Sequence, residues 1–227
     1  MHCPSLKNLP TPPKGKIGWP WTEETPQISS DSMSSALSPL PRVSIVTPSY
    51  NQGQFIEETI RSVLLQGYPN LEYIIIDGGS TDNSVEIIKK YEKWLTYWVS
   101  EPDKGQSNAL NKGFKLSSGE IVGWLNSDDL YLSNTLNIVA EYFSNNPKCI
   151  MLYGNCMQIN EDGKGIGIIS DIPFNAYNML FINYIPQPSL FIRRDFLRKV
   201  GFVDTNLHYI MDWDLCLRAS MGLDKDE

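Results

Sequence analysis

The sequence is poor in histidine, cysteine and positive charge, and each scarcity excludes a class of protein. Two histidines and four cysteines occur among 227 residues. The cysteines form no CxxC pair, which argues against the common zinc sites and favours a reduced, cytoplasmic setting. Nineteen basic against 26 acidic residues give a net charge of −7, so broad nucleic-acid binding is not expected. No apolar run approaches the length of a membrane span, and the first thirty residues lack a signal-peptide core.

Residues 1–41 differ in composition from the rest of the chain. They are rich in proline and serine, and proline prevents a continuous helix or central strand. We predict a flexible N-terminal arm without a core of its own, followed by a single domain over residues 42–227. Trp19 and Trp21 are the exception in this arm, because two large aromatics indicate docking onto the domain, a partner or a membrane surface. A purely solvated arm is the alternative.

Beyond the arm, short apolar runs alternate with segments of helical spacing. The strand that begins near Pro41 stops at Pro48, and the segment from Gln54 to Gln66 has its apolar residues at the spacing of a helix. A second buried strand runs from Glu72 to Asp77, and glycines and capping residues then precede another helical pattern. Strand and helix in alternation predict an α/β fold with a mainly parallel sheet.

The most informative stretch is an apolar run, Glu120 to Leu125, that ends in Asn126-Ser-Asp-Asp129. Ligands of open α/β sheets bind at the carboxyl ends of strands, where Asp128 and Asp129 are expected to lie. Adjacent carboxylates repel each other unless a cation compensates them, and Mg²⁺ or Mn²⁺ binds such oxygens, often together with a substrate phosphate. In the alternative interpretation, the pair only turns the chain and caps the helix that starts near Ser133.

Four motifs follow one another in a characteristic order. They are Thr47-Pro-Ser-Tyr-Asn51, Asp77-Gly-Gly-Ser-Thr-Asp82, Asp103-Lys-Gly-Gln-Ser-Asn-Ala-Leu-Asn111 and Asn126-Ser-Asp-Asp129. In this order and spacing, over about residues 42 to 220, the chain resembles family 2 glycosyltransferases of the GT-A fold. The resemblance implies one Rossmann-like domain with a mixed, mainly parallel central sheet flanked by helices. It also implies a nucleotide-sugar donor, a divalent metal, Mn²⁺ or Mg²⁺, and inversion of configuration at the sugar carbon.

On the donor side, the resemblance assigns roles to residues of the first three motifs. It implies that Pro48 and Tyr50 lie beside the nucleotide base and that Asp77 accepts hydrogen bonds from that base. Uracil and thymine have an imide N–H that can donate to a carboxylate, so a UDP or dTDP sugar is favoured. A carboxylate that only closes the turn after its strand is the alternative for Asp77. Asp103 and Gly105 match the loop beneath the nucleotide, where glycine allows close approach of the backbone.

At the end of the fourth strand the chain departs from the family pattern. The family more often has aspartate where this chain has Asn126, and the change removes one negative charge. We expect Asn126 to bind a ribose hydroxyl instead. The resemblance makes Asp128 the metal ligand, and Asp129 is expected to orient its neighbour or to cap the following helix.

The implied acceptor side lies in the last forty residues. Gln187 begins a segment that is similar to the acceptor-side strand of the family. Asp212 aligns with the general base, and Asp214 lies two positions beyond it and is expected to contact substrate. The alternative is that both carboxylates only interact favourably with the dipole at a helix start. His208, four residues before Asp212, is read as a surface or packed histidine rather than as a metal ligand.

Taken together, these expectations describe an inverting, metal-dependent hexosyltransferase. It moves a sugar to a hydroxyl of a glycan or lipid-linked acceptor in bacterial surface polysaccharide synthesis, in the cytoplasm or at the inner face of the membrane. Peripheral membrane association and the oligomeric state stay open. One alternative is a nucleotidyltransferase, although the chain lacks the expected phosphate loop after its first strand. The other is an inactive nucleotide-sugar binding module, because the chain stops soon after Arg218, where family members usually continue.

Overall fold

The computed structural model describes residues 3–27, 40–161, 163–169 and 172–222. Its strands are β1 (Val43–Ser49), β2 (Leu71–Asp77), β3 (Tyr97–Ser100), β4 (Ile121–Trp124), β5 (Met151–Leu152), β6 (Cys156–Ile159), β7 (Gly165–Ile169) and β8 (Phe191–Arg193). Its α-helices are α1 (Ile56–Leu64), α2 (Ser84–Tyr91), α3 (Gln106–Leu116), α4 (Thr135–Asn145), α5 (Ala176–Met179), α6 (Arg194–Val200) and α7 (Met211–Met221). Short 3₁₀ turns lie at Leu6–Asn8, Glu92–Trp94 and Gln187–Ser189. Within the described ranges, no helix has both the length and the apolar character needed to cross a membrane.

The main sheet has the strand order β3-β2-β1-β4-β8-β5. The first four of these strands are parallel, whereas β8 runs antiparallel to both β4 and β5. This mixed, mainly parallel sheet confirms the predicted fold class. The chain moves outward from β1 through β2 to β3 and then returns to the other side of β1 with β4. The strand order therefore reverses between β1 and β4, which is where open α/β sheets bind their ligands.

Helices cover both faces of this sheet, because its central strands carry apolar residues on both sides. Val43 and Ile45 of β1 face a core cluster that includes residues of α1, α2 and α4. Val46 faces a second cluster, on the opposite side, that includes residues of α3 and α7. Every residue of β1 and β2 is buried, which explains the nearly continuous apolar runs in the sequence.

Residues 3–27 pack against the domain. Arg61 on α1 is fully buried, and its guanidinium donates to the carbonyl oxygens of Pro10 (2.9 Å), Pro20 (3.1 Å) and Trp21 (2.9 Å). A charged group is tolerated in such a place only when its donors are paired. The Trp21 side chain is itself buried and lies over the guanidinium. Docking is therefore confirmed and a solvated arm is wrong for this segment. Residues 28–39 lie outside the described residues, and the domain boundary after residue 41 stays a prediction.

The loop that follows β4 is held from two sides. Trp19, in the N-terminal segment, donates its indole N–H to the carbonyl oxygen of Tyr131 at 2.8 Å. From α1, the Thr59 hydroxyl lies 2.9 Å from the carbonyl oxygens of both Ser127 and Asp129. These contacts fix the backbone of the segment that carries the predicted metal ligand.

Candidate active site

A cavity of about 780 Å³ opens at the carboxyl ends of the parallel strands, at the reversal of strand order between β1 and β4. This volume lies within the range of small-molecule binding sites. The predicted site residues on its wall are Pro48, Tyr50, Asp103, Gly105, Asn126 and Asp128. The structure therefore brings six of the ten predicted residues together. The other four, Asp77, Gln187, Asp212 and Asp214, lie outside the cavity wall.

Pro48 and Tyr50 lie on the predicted donor side of the cavity. Pro48 is a buried residue of β1 that lies opposite Ile76 of β2. Tyr50 follows the end of β1, and the residue is 61% exposed. An exposed aromatic ring on a cavity wall offers an apolar face to a nucleobase. Stacking of the base on Tyr50 stays a prediction.

Asp77 ends β2 immediately before this cavity, and its carboxylate is fully buried. Oδ2 accepts from the backbone N–H groups of Gly79 (3.1 Å) and Ser80 (2.9 Å) and from the Ser100 hydroxyl (2.6 Å). Oδ1 accepts from the Ser80 hydroxyl at 2.5 Å. The φ of Gly79 is +83°, a conformation that favours glycine. This geometry favours the turn-closing alternative. A hydrogen bond from a base to Asp77 stays a prediction and would have to replace one of these donors.

Asp103 and Gly105 shape the loop that leads into α3. Asp103 Oδ1 accepts from the backbone N–H of Gly105 at 2.7 Å. Gly78 lets the two loops approach each other, since a Cβ there would lie only 3.1 Å from the Asp103 carboxylate. Gly105 and Gln106 both border the cavity, so the N-terminus of α3 does too. Its unpaired N–H groups and partial positive charge suit a phosphate group.

Asp128 and Asp129 are neighbours with different surroundings. Asp128 is exposed on the cavity wall, and its carboxylate makes no hydrogen bond to any residue in the described part of the chain. Asp129 is partly buried, and its Oδ2 accepts from Asn126 Nδ2 at 3.2 Å. Burial, and then the charge of Asp128, raise the pKa of Asp129 to about 6, although the hydrogen bond from Asn126 lowers it. Asp128 is therefore the carboxylate that is free to bind a cation.

A divalent ion fits beside Asp128 if the bound nucleotide supplies some of its ligands. The described ranges contain no group of three or more His, Cys, Asp or Glu side chains that could enclose a metal ion. A nucleotide-bound Mg²⁺ does not need such a cage, because it takes one or two carboxylates together with phosphate oxygens and water. The free carboxylate of Asp128, on a cavity that the N-terminus of α3 also borders, fits that mode. His208 is exposed, as expected for a surface histidine, and together with Lys104 it lines a different, small pocket.

Asp212 and Asp214 lie in the first turn of α7. The Asp212 carboxylate accepts one hydrogen bond, from Asn183 Nδ2 at 3.1 Å, and is partly exposed. Asp214 instead forms an ion pair with Arg218, whose Nε and Nη2 lie 2.9 and 2.8 Å from its Oδ2. Asp212 is therefore the freer acid, as a general base requires. Both roles stay predictions.

Ile210, the residue before α7, has a left-handed backbone conformation with a φ of +55°. For a β-branched residue this conformation is an outlier that costs about 1–2 kcal/mol. Strained residues of this kind cluster at functional sites, where the surrounding structure holds them in place. The strain lies two residues before Asp212, at the point where the chain enters the helix.

Gln187 reaches the cavity wall through Asn126. Asn126 Nδ2 donates to Gln187 Oε1 at 3.0 Å, and Gln187 Nε2 donates to the carbonyl oxygen of Trp124 at 2.7 Å. Asn126 Oδ1 accepts from Gln106 Nε2 and from Trp124 Nε1, both at 2.7 Å. Sequence reasoning missed Gln106 and Trp124. Trp124 is two residues before Asn126, which is the spacing of side chains on one face of a strand. Gln106 is 20 residues away, so only the folded chain reveals that contact.

Comparison with known sequences identifies related proteins. Residues 44–201 match the family model described as glycosyl transferase family 2. An uncharacterized glycosyltransferase of Rickettsia conorii is 31% identical over 183 residues, which cover 76% of this chain and 30% of that protein. One from Mycobacterium tuberculosis is 29% identical over 187 residues, covering 80% of this chain and 70% of that protein. The chain thus spans about a third of the Rickettsia protein.

Comparison with solved structures identifies the fold. S. aureus TarS, in complex with UDP-GlcNAc, has a TM-score of 0.64 at 22% identity, and the match covers 79% of this chain and 53% of that one. The mannosyltransferase PcManGT of Pyrobaculum calidifontis, in complex with GDP-Man and Mn²⁺, has a TM-score of 0.57 at 23% identity, covering 75% and 49%. At identities this low, the two matches are evidence for the fold alone. Their TM-scores confirm the predicted GT-A fold.

Proposed function

We propose that this chain, which belongs to glycosyl transferase family 2, transfers a sugar from a nucleotide-diphosphate sugar to an acceptor hydroxyl. The cavity at the reversal of strand order, with the free carboxylate of Asp128 on its wall, carries the proposal. Complexes of TarS with UDP-GlcNAc and of PcManGT with GDP-Man and Mn²⁺, which share the fold, support a nucleotide-sugar donor. A UDP or dTDP sugar is the donor that we favour.

In the proposed reaction, Asp212 removes the proton from the acceptor hydroxyl while that oxygen attacks the anomeric carbon. The bond from this carbon to the diphosphate oxygen breaks on the opposite face as the new glycosidic bond forms, so the configuration inverts. Asp128 would hold the divalent ion, which neutralises charge on the departing diphosphate when bound. The N-terminus of α3 would add a smaller favourable interaction with the same charge.

The acceptor that we propose is a glycan or a lipid-linked glycan in the synthesis of a bacterial surface polysaccharide. The bacterial origin of the related glycosyltransferases supports this choice. Asp212 and Asn183 would face this acceptor, because their contact lies outside the wall of the donor cavity.

The first test identifies the donor. Thermal unfolding is measured with UDP-, dTDP-, GDP- and CMP-sugars, each with and without Mn²⁺, because a ligand that binds only the folded state raises the Tm. We expect a UDP or dTDP sugar with Mn²⁺ to give the largest rise. Absence of stabilisation by every nucleotide sugar would contradict the proposal.

The second test concerns the base. Transfer is assayed with glycan and lipid-linked acceptors, with slow donor hydrolysis as the fallback. Asp212→Asn should lower kcat by roughly 10²-fold or more at unchanged donor affinity. The matched control, Asp214→Asn, removes a carboxylate from the same helical turn and should have a smaller effect. A parent protein that binds donor but transfers to neither acceptor nor water would favour the inactive binding module.

A further inference from the structure

The side-chain amide of Asn126 has all its hydrogen-bonding positions occupied by the protein. Its oxygen accepts from Gln106 Nε2 and Trp124 Nε1, each at 2.7 Å. Its nitrogen donates to Asp129 Oδ2 at 3.2 Å and to Gln187 Oε1 at 3.0 Å. A primary amide has two donor hydrogens and two acceptor lone pairs. No position is therefore left for a ribose hydroxyl, although Asn126 borders the cavity.

We propose that Asn126 is a positioning residue that holds Asp129 and Gln187, and that it is not a ligand of the donor. It joins three elements that lie far apart in the sequence: the start of α3, the end of β4 and the 3₁₀ turn that begins at Gln187. The consequence for transfer rests on the proposed function, whereas the contacts themselves do not. Through Asn126, the donor cavity is joined to the segment that leads into β8.

The contacts require an amide rather than a carboxylate at this position. Aspartate could still accept from Gln106 and Trp124, but it has no hydrogen to donate. Its second oxygen would face Asp129 Oδ2 and Gln187 Oε1, both of which are acceptors. Ionised carboxylates at that distance repel each other. The substitution Asn126→Asp keeps the size of the side chain and therefore tests the loss of the two donors together with the added charge.

Gln187 cannot compensate by turning its own amide. Its nitrogen already donates to the carbonyl oxygen of Trp124 at 2.7 Å. Turning the amide to aim this nitrogen at residue 126 would place Oε1 against that carbonyl oxygen, and two acceptors would then face each other. The orientation of Gln187 is therefore determined by Trp124, and the nitrogen of Asn126 is its complement.

The first arm of the test measures stability and does not depend on activity. Thermal unfolding is compared for the parent, Asn126→Asp, Asp129→Asn and the double variant, as a double-mutant cycle. In the double variant, the amide at 129 can donate to the carboxylate at 126, so the contact is rebuilt in reverse with the net charge of the parent. We expect Asn126→Asp to lower the Tm and the double variant to be more stable than the two single effects predict. If the two single changes in Tm add up to the change in the double variant, the inference that Asn126 holds Asp129 would be wrong.

The second arm separates positioning from donor binding. Asn126→Ala should leave the affinity for UDP with Mn²⁺ within about twofold of the parent, whereas loss of a direct hydrogen bond would cost up to about tenfold. Asn126→Ala and Gln187→Ala should each lower kcat several-fold at constant donor KM, and the double variant should be no worse than either. A raised donor KM confined to Asn126→Ala would show that the residue binds donor. Unchanged kcat per folded molecule would show a role in stability alone, and either result would overturn the proposal.

Failure of this inference and failure of the proposed function are distinguishable. A parent protein that binds no nucleotide sugar contradicts the proposed function, and the stability cycle then still decides whether Asn126 holds Asp129. A parent that binds and transfers normally while the stability cycle is additive contradicts the inference alone.

Discussion

The parallel strands of the main sheet begin at one side, here called the amino edge, and end at the other, the carboxyl edge. Acidic side chains have opposite environments at these two edges. At the amino edge, Glu72 of β2 is buried, and its carboxylate accepts from the Ser44 hydroxyl and from the backbone N–H and hydroxyl of Ser118, the latter two at 2.7 Å. Arg42 completes the set with an ion pair at 3.2 Å. At the carboxyl edge, Asp128 is exposed and accepts no hydrogen bond from the described residues.

This difference separates an acid that stabilises the fold from one that is available to a ligand. A buried charge is costly, and at the amino edge the protein offsets that cost with its own donors. An unpaired carboxylate on a cavity wall keeps its oxygens for a cation. Position alone does not decide the role, because Asp77 lies at the carboxyl edge and yet is paired as fully as Glu72.

The largest expected effect is loss of metal-dependent binding in Asp128→Asn. Changes to groups that merely orient a metal ligand cost 10–100-fold in metal affinity, so loss of the ligand should cost roughly 10²-fold or more. Calorimetric titration of UDP with and without Mn²⁺ measures this effect. The Tm should change little, because the carboxylate has no partner to lose. Glu86→Gln, the same charge change on the exposed face of α2, is the control. Equal Mn²⁺-dependent affinity in Asp128→Asn and the parent would reject the assignment.

Local patterns in the sequence were enough to predict the α/β fold and the position of Asp128 on the cavity, whereas the family resemblance implied the other five predicted cavity residues. The strand predicted from Glu72 to Asp77 is observed as β2, which begins one residue earlier, at Leu71, and ends at Asp77. Residues adjacent to strand ends must meet at one edge of a parallel sheet, so motifs at those places predict a shared site.

Roles that depend on distant partners could not be predicted in this way. The partners of Asn126 include Gln106 and Gln187, which are 20 and 61 residues away. The docking of residues 3–27 depends on Arg61, a charged residue that in sequence reads as part of the exposed face of α1. Its burial is visible only once the carbonyl oxygens that surround it are known.

A second prediction concerns the amino edge, where Glu72→Gln should lower stability without affecting UDP binding. Burial raises the pKa of Glu72, but hydrogen bonds from Ser44 and Ser118 and the charge of Arg42 outweigh it, so the pKa lies below its usual value. The ionised carboxylate therefore stabilises the native state above the unfolded pKa of about 4.3, and this contribution is lost as the pH falls through the folded pKa.

Loss of charge-assisted hydrogen bonds should cost Glu72→Gln about 2 kcal/mol in the free energy of unfolding at pH 7. The difference from the parent should narrow at pH 3, and urea denaturation at the two pH values measures it. A loss that is the same at both pH values would show that packing, rather than charge, is responsible. If Glu72→Gln instead lowered the affinity for UDP and left stability unchanged, Glu72 would not be a purely structural acid.

The smallest effect is expected for Asp77→Asn, which tests whether pairing or position decides the role of an acid. The amide can keep the three donors on one oxygen, and the Ser80 hydroxyl can rotate to accept from the new NH₂ group, so the cost should be about 1 kcal/mol in stability. UDP affinity should stay close to that of the parent. The sharper measurement compares UDP with its N3-methyl derivative, which lacks the imide hydrogen. If Asp77 only closes its turn, both proteins discriminate between the two ligands equally. If Asp77 accepts the imide hydrogen, the discrimination falls in the variant, and an acid with a full set of protein donors would have to exchange one of them for a ligand.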